Sequence, residues 1–403
     1  MSLLFRNRGA IALLMLNNFI IFTGIGLIIP IMPSYMNLLH ITGSTLGLLV
    51  ATFSITQLIF SPLAGRLSDS IGRKRVIVAG MLLFAVSELM FGVVSSLPLL
   101  FISRMLGGVS AALVMPAVMA YTADVTTDEE RGKGMGLINA AITTGFIIGP
   151  GIGGYVAEFG IRAPFYAAAA AGLVAMLVTA VLLPETPAMK RDDVPAEKSA
   201  ERSATPGLLR QLAETYRAPY FISLVVIFIS SFGLASFETV FALFVDHKFS
   251  FTPKDIAFVI TFGSIAGAVV QLTIFGWMIN RFGERIMISL SLIAAAVFVV
   301  MGLFVHSFWL IVIVTFALFL AVDILRPALG TQMSKFADEQ QGYVAGLNSA
   351  FMSLGNIIGP IIAGTMFDQN INYPYMLAGL VLGLGFLLSL RSKKAPSRSA
   401  VQE

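Results

Sequence analysis

The sequence predicts an all-α membrane protein of twelve transmembrane helices arranged as two pseudo-symmetric six-helix halves, and three observations support this. Of 403 residues, 57% are hydrophobic and 12% charged, about half the roughly 25% charged content of a soluble domain. Apolar runs near the 20 or so residues that a helix needs to cross the hydrocarbon core recur along the chain. Landmarks of the first half return in the second at a nearly constant offset.

In windows of about 19 residues, spans fall near 11 to 33, 44 to 65, 75 to 95, 98 to 120, 135 to 157 and 163 to 183, then near 219 to 243, 255 to 278, 286 to 305, 308 to 329, 343 to 366 and 373 to 390. The first holds Asn17, Asn18, Pro30 and Pro33 and lacks a small-residue cleavage site, so it reads as a retained helix rather than a signal peptide. Residues 1–183 form the N-terminal half, and 219–403 the C-terminal half with its tail. Between them, 184–218 is rich in charge and Pro, too polar to fold alone or to cross the membrane.

The repeat has three landmarks. GRLSDSIGRKR from Gly65 is echoed by GWMINRFGERI from Gly276, an offset of 211; GFIIGPGIGG from Gly145 returns as GNIIGPIIAG from Gly355, an offset of 210; Pro116 and Pro327 differ by 211. An offset of six spans preserves orientation, so the halves are parallel repeats about an axis along the membrane normal, with a cavity expected between them.

The formal net charge of +4 is explained by topology. Of the 26 Lys and Arg, 21 lie in the termini and even-numbered loops, 3 in odd-numbered loops and 2 in spans. The positive-inside rule then places both termini and the central linker in the cytoplasm, and nucleic acid is not expected as a partner. The absence of cysteine excludes disulfides and thiolate chemistry. No Walker A motif is present, so energy must come from a gradient. GPGIGG lies inside an apolar span without a preceding strand and is no dinucleotide fingerprint. His40, His247 and His306 are widely separated and offer no metal-ligand spacing. Neither cofactor nor metal is expected, and the chain does not read as an enzyme.

Five ionisable residues fall inside spans: Glu88, Arg104, Glu238, Asp323 and Arg326. Each costs about 2.5–3.5 kcal/mol at mid-helix on insertion scales, so each needs a partner, water or a role. Asp323 and Arg326 stand three apart on one helix face and could pair within the helix, as a static pair or as a proton site released in one conformation. Glu238 sits among apolar and small residues with no basic residue in its own span, where burial would suit a proton-coupling carboxylate; a watery vestibule at the outer end is the other reading. Glu88, also toward an outer end, reads as structural.

The segment containing Gly65, Asp69, Gly72 and Arg73 resembles the cytoplasmic-loop signature of the major facilitator superfamily. Ser70 stands where that family usually carries Arg, and Asn280 where the second copy would carry the Asp, which speaks against an Asp-based latch in the C-terminal half. Gly145, Gly149, Pro150 and Gly154 in the fifth span resemble the signature of drug:proton antiporters within the superfamily, which implies export. Small residues there allow close helix approach, and the Pro loosens the hydrogen-bond ladder. SRMLGGVSAALVMP around Arg104 resembles the family's conserved-arginine segment, which implies a part in proton transfer; a structural Arg bonded to carbonyls is the other reading.

The whole chain is similar to the twelve-span NorA/Bmr type of multidrug exporter in that superfamily, through GIGLIIPIMP, LGLLVATFSITQLIFSPLAG, SFGLASFET, DILRPA and GLNSAFMSLGNIIGP. The resemblance implies proton coupling through Glu238 and Asp323 with Arg326 beside the latter, and drug contacts at Phe146, Gln57 and Asn356. Glu238 is also expected to bind substrate, since a buried carboxylate could hold either a proton or a cationic drug. The 32 Phe and 19 Met suit varied lipophilic cations. The expected function is secondary active efflux of structurally diverse amphipathic or cationic drugs, such as dyes, quaternary ammonium compounds and fluoroquinolones, in exchange for protons. The expected setting is the cell membrane, multi-pass, with a functional monomer. A dedicated proton-coupled carrier of a single metabolite and a membrane sensor without transport are the alternatives.

Overall fold

In the computed structural model the described residues are 9–185, 220–337 and 341–391. Most of the linker expected at 184–218 and the distal parts of both termini lie outside them. The described chain is helical, as a chain in hydrocarbon must be when every backbone polar group has to be satisfied within its own segment. The N-terminal half comprises α1 (Ala10–Ile28), α2 (Met32–Leu39), α3 (Gly43–Ile71), α4 (Arg73–Val93), α5 (Leu97–Val125), α6 (Asp128–Val156) and α7 (Ala163–Leu182). The C-terminal half comprises α8 (Phe221–Phe249), α9 (Pro253–Thr273), α10 (Phe275–Phe282), α11 (Glu284–Phe304), α12 (Phe308–Ala337), α13 (Gln341–Gln369) and α14 (Tyr373–Ser389).

Among the described residues, eleven helical stretches are long and apolar enough to cross a membrane, and Tyr373–Ser389 is a further, shorter apolar helix. Two expected spans are subdivided. The first breaks at a short 3-10 turn around Pro30 before α2, because proline removes a ladder donor and clashes with the preceding turn. The eighth ends at Thr273 and resumes as α10.

Packing repeats between the halves. α1 lies on α6 as α8 lies on α13, α3 on α5 as α9 on α12, and α4 on α7 as α11 on α14. The largest buried cluster fills the C-terminal half, with Phe237, Phe244, Leu292, Leu325 and Leu382 at its centre. A second, with Leu14, Ile77, Met81, Val114 and Tyr121, fills the N-terminal half. Lipid is as apolar as leucine, so helix association rests on close packing. The fifth-span glycines permit it: a Cβ on Gly149 would stand 2.7 Å from the Thr23 carbonyl oxygen of α1, and one on Gly359 2.7 Å from the Phe232 carbonyl oxygen of α8.

The halves meet along two seams, α3 against α13 and α6 against α9, and both are tight at one end only. Backbone meets backbone where Gly47 faces Pro360 and Gly43 faces Gly364, and Gly154 packs on Pro253 and Ala257. At the opposite end a Cβ on Gly65, Gly132, Gly276, Gly330 or Gly346 would meet nothing within 4 Å. The molecule is therefore sealed at the end carrying residues 43, 154, 253 and 364 and splayed at the end carrying the loops after Gly65 and Gly276. Gly149→Leu is expected to lower stability by about 1–3 kcal/mol through overpacking against α1, seen as a lower melting temperature of the detergent-solubilised protein. Gly65→Leu, in open space, should leave melting nearly unchanged.

Candidate functional site

Mid-span charges in the C-terminal half converge. Arg326 on α12 places Nη2 2.5 Å from Oε1 of Glu238 on α8. The two side chains are 58% and 42% exposed, which at mid-span is tolerable only if they face a water-filled cleft rather than acyl chains. Two expectations are corrected. Of the two readings of Glu238, burial is the one the structure sets aside: its side chain is 42% exposed and paired with Arg326. Arg326 takes its ion-pair partner from another helix rather than from Asp323, because a contact across helices brings together groups that three-residue spacing cannot reveal. Asp323 is partly buried and lies against α9, where Gly267 leaves room for it. A Cβ on Gly267 would overlap the carboxylate, with Asp323 Cγ only 2.6 Å away.

Arg104 is apart from this group, on α5 in the N-terminal half. Its Nη2 lies 3.6 Å from Oε1 of buried Glu88 on α4, and its guanidinium lies 3.9 Å from the Phe91 ring centroid. Glu88, which the sequence reads as structural, is thus the ion-pair partner of Arg104. Phe91 belongs to an aromatic cluster with Tyr35 and Phe165, whose ring centroids are 5.0–5.3 Å apart. Gln57, Phe146 and Asn356 stand on three different spans, α3, α6 and α13. Phe146 is 40% exposed and tilts against Phe22 of α1 at 4.9 Å; Gln57 and Asn356 are partly buried.

The loop signature folds into a network at the splayed end. Gly72, with φ +101°, turns α3 into α4 in a region of backbone space that disfavours side chains. Arg73 pairs with Asp69, donates from Nη1 to Ser68 Oγ at 3.2 Å, and reaches Asp124 Oδ2 of α5 at 3.3 Å. Glu185 accepts from the Lys74 backbone N–H at 3.1 Å, an anion at a helix N-terminus. Although Asn280 replaces the Asp, the C-terminal half carries its own pair: Lys335 Nζ lies 2.8 Å from Glu284 Oε2. Glu284 stands 211 residues after Arg73, and Lys335 211 after Asp124, so the pair recurs with reversed charge. Asp124 and Lys335 are not part of any motif singled out in the sequence, and Glu284 lies within the second-half echo of the loop signature without having been singled out as a charge. The repeat offset was the signal that could have found them.

Two parallel six-helix repeats, closed at one end around a cleft that holds mid-span charges, have the architecture of a secondary transporter. The sequence model of the Major Facilitator Superfamily matches residues 14–248 and again 223–403, and the chain belongs to that family. It is a multi-pass membrane transporter rather than an enzyme. It is 48% identical over 384 residues to multidrug resistance protein 2 of Bacillus subtilis (strain 168), covering 95% of each chain. To quinolone resistance protein NorA of Staphylococcus aureus (strain MRSA252) it is 40% identical over 395 residues, covering 98% of this chain and 99% of that one. Among solved structures, a bacterial homologue of the human lysosomal transporter Spinster, inward-facing and occupied, superposes with a TM-score of 0.78 at 13% identity, covering 98% of this chain and 100% of that one. The nucleoside transporter NupG superposes with a TM-score of 0.69 at 17% identity, covering 95% and 98%. At such identities these structures speak to fold alone.

Glu284→Lys, which sets two cations together, is expected to lose about 1 kcal/mol of stability that Lys335→Glu restores in the double variant, read as recovery of the melting temperature. Gly267→Ala is expected to impair transport at least several-fold while the protein still folds, because it displaces Asp323. Gly263→Ala, whose Cβ would meet the Phe319 side chain at 3.0 Å and the Phe316 ring at 3.5 Å but no charged group, is the matched control in the same transport assay.

Proposed function

We propose that this protein is a multidrug efflux transporter that exports structurally diverse amphipathic or cationic compounds in exchange for protons. The observation that supports it best is the charge count at the cleft. Glu238, Asp323 and Arg326 form a group of two acids and one base that, fully ionised, carries one uncompensated negative charge. Water screens that charge without cancelling it, so the group still attracts a cation. Either a proton or one monovalent lipophilic cation neutralises the group, and both together would leave an excess positive charge. Exclusion of one by the other is the minimal condition for exchange.

The ion pair at 2.5 Å gives this competition a structural consequence. Protonating Glu238 removes the partner that holds Arg326 toward α8, leaving Arg326 free to turn to Asp323 on its own helix. A drug cation in the cleft would instead compete with Arg326 for carboxylate oxygen. The splayed end, which carries most of the basic loop residues, faces the cytoplasm in this reading, so drug enters from the cytoplasm and protons from outside. Both termini are then cytoplasmic, the location is the cell membrane, and a single chain suffices because both halves of the cleft come from it. Phe146, Gln57 and Asn356 are proposed as drug contacts. Gly145, Gly149, Pro150 and Gly154, with Gly65, Asp69, Gly72 and Arg73, are proposed as the packing and turn positions on which the halves rock. Arg104 is proposed as an auxiliary proton-pathway residue paired with Glu88.

The test is proton-gradient-driven uptake of a fluorescent lipophilic cation into inverted vesicles. Parent protein should accumulate the dye, and Glu238→Gln and Asp323→Asn should each reduce accumulation by at least roughly tenfold, a coupling of about 1.4 kcal/mol. Parent protein that accumulates no cation under a gradient would sink the export reading in favour of a carrier for one metabolite.

A further inference from the structure

Transport between the two sides requires the sealed end to open, and two carboxylates cross between the halves there. Asp368, at the end of α13, accepts from the backbone N–H of Gly43 at 2.7 Å and of Ser44 at 2.9 Å, the first residues of α3. Glu158, just beyond α6, pairs with Lys254 at the start of α9, and the Lys254 ammonium also lies 5.3 Å from the Tyr155 ring centroid. Asp368 follows Glu158 by 210 residues, and Lys254 follows Ser44 by 210. The two contacts are therefore copies of one element: the acid closing the fifth span of each half docks on the start of the second span of the other half.

Their chemistry differs for a local reason. At α9 the first helical residue is Pro253, which has no N–H, and Asp255 already closes the helix end in a capping box with Thr252. An acid from the other half therefore finds one free backbone donor, the Lys254 N–H, where α3 offers two, and the contact is made through the Lys254 side chain. At α3 the first residue is Gly43, the only local cap is the Thr42 hydroxyl accepting from Thr45 at 3.3 Å, and two N–H groups are left for Asp368. A Cβ on Gly43 would stand 2.9 Å from that carboxylate. Orphan donors at a helix start demand an acceptor, and here the acceptor belongs to the other half of the molecule. The cap of α3 is thus complete only while the sealed end is closed.

We propose that Asp368 and Glu158 are paired latches of the sealed end, Asp368 by capping α3 in trans and Glu158 by its ion pair with Lys254, and that both must release for the opposite-facing state to form. The inference rests on the exchange reading above, in which the two halves rock about the cleft. The chain has no cysteine, so double-cysteine variants can be spin-labelled without background. Labels at Ser96→Cys and Ser307→Cys, exposed positions related by the repeat at the sealed end of each half, report its width in lipid nanodiscs without any drug. The parent should show mainly a short distance. Asp368→Asn should shift the ratio of long to short distances by roughly tenfold, the loss expected for a hydrogen bond to a charged group. Glu158→Lys should shift it in the same direction, and adding Lys254→Glu should return the short distance, a test that holds even if Asp368→Asn folds poorly. An unaltered distribution in both Asp368→Asn and Glu158→Lys would overturn the latch. Altered distances in a protein that exports no dye would leave the latch standing and overturn the drug-export reading instead.

Discussion

The close approach of backbones at the fifth span of each half is the constraint on which the rest of the structure depends. In a bilayer no hydrophobic force draws one helix to another, so a helix that must touch neighbours on both sides has to offer them surface small enough for dense contact. α6 does this with Gly145 and Gly149 toward α1 and with Gly151 and Gly154 toward α9. α13 repeats the device with Gly355 and Gly359 toward α8 and Gly364 toward α3. One face ties each helix into its own half, and the other forms a seam with the opposite half. The same two helices therefore hold each half together and carry the surfaces that must part.

Charges are distributed to match. Where helices are tightly packed, an ionisable residue has a partner within its own half, as with Arg104 and Glu88. Where the halves face the cleft, Arg326 and Glu238 remain exposed although paired, so water can reach them. At the splayed end each half keeps an internal ion pair between the start of its third span and the end of its fourth, Arg73 with Asp124 and Glu284 with Lys335. Their opposite polarity shows that duplication preserved the positions and their complementarity but not the sign. An ion pair needs only that its two members stay opposite, so the sign is free to change when both change together.

The helical content, the spans and the two-fold repeat were legible in the sequence because they follow from composition and offset, and the split spans at Pro30 and Ile274 are local departures from runs that hydropathy alone treats as continuous. The site was legible in part. Mid-span charges are rare enough that Glu238, Asp323 and Arg326 stood out singly, and likeness to known exporters grouped them. Their pairing did not follow, since spacing along α12 favours Asp323 with Arg326 while the structure gives Arg326 to Glu238, 88 residues away in sequence. Gly267 carried no signal at all, being one of 37 glycines until the Asp323 carboxylate is seen against it.

By itself the sequence determined the solvent of this protein, its helices, its duplicated plan and the residues whose burial in lipid would be too costly without a role, because each depends on local chemistry or on periodicity along one chain. Tertiary structure alone decided which end is sealed, which partner each charge takes and which helix start borrows its cap from the opposite half. Those outcomes depend on distances between segments far apart in sequence, and in a membrane such distances are set by how closely small residues let helices approach.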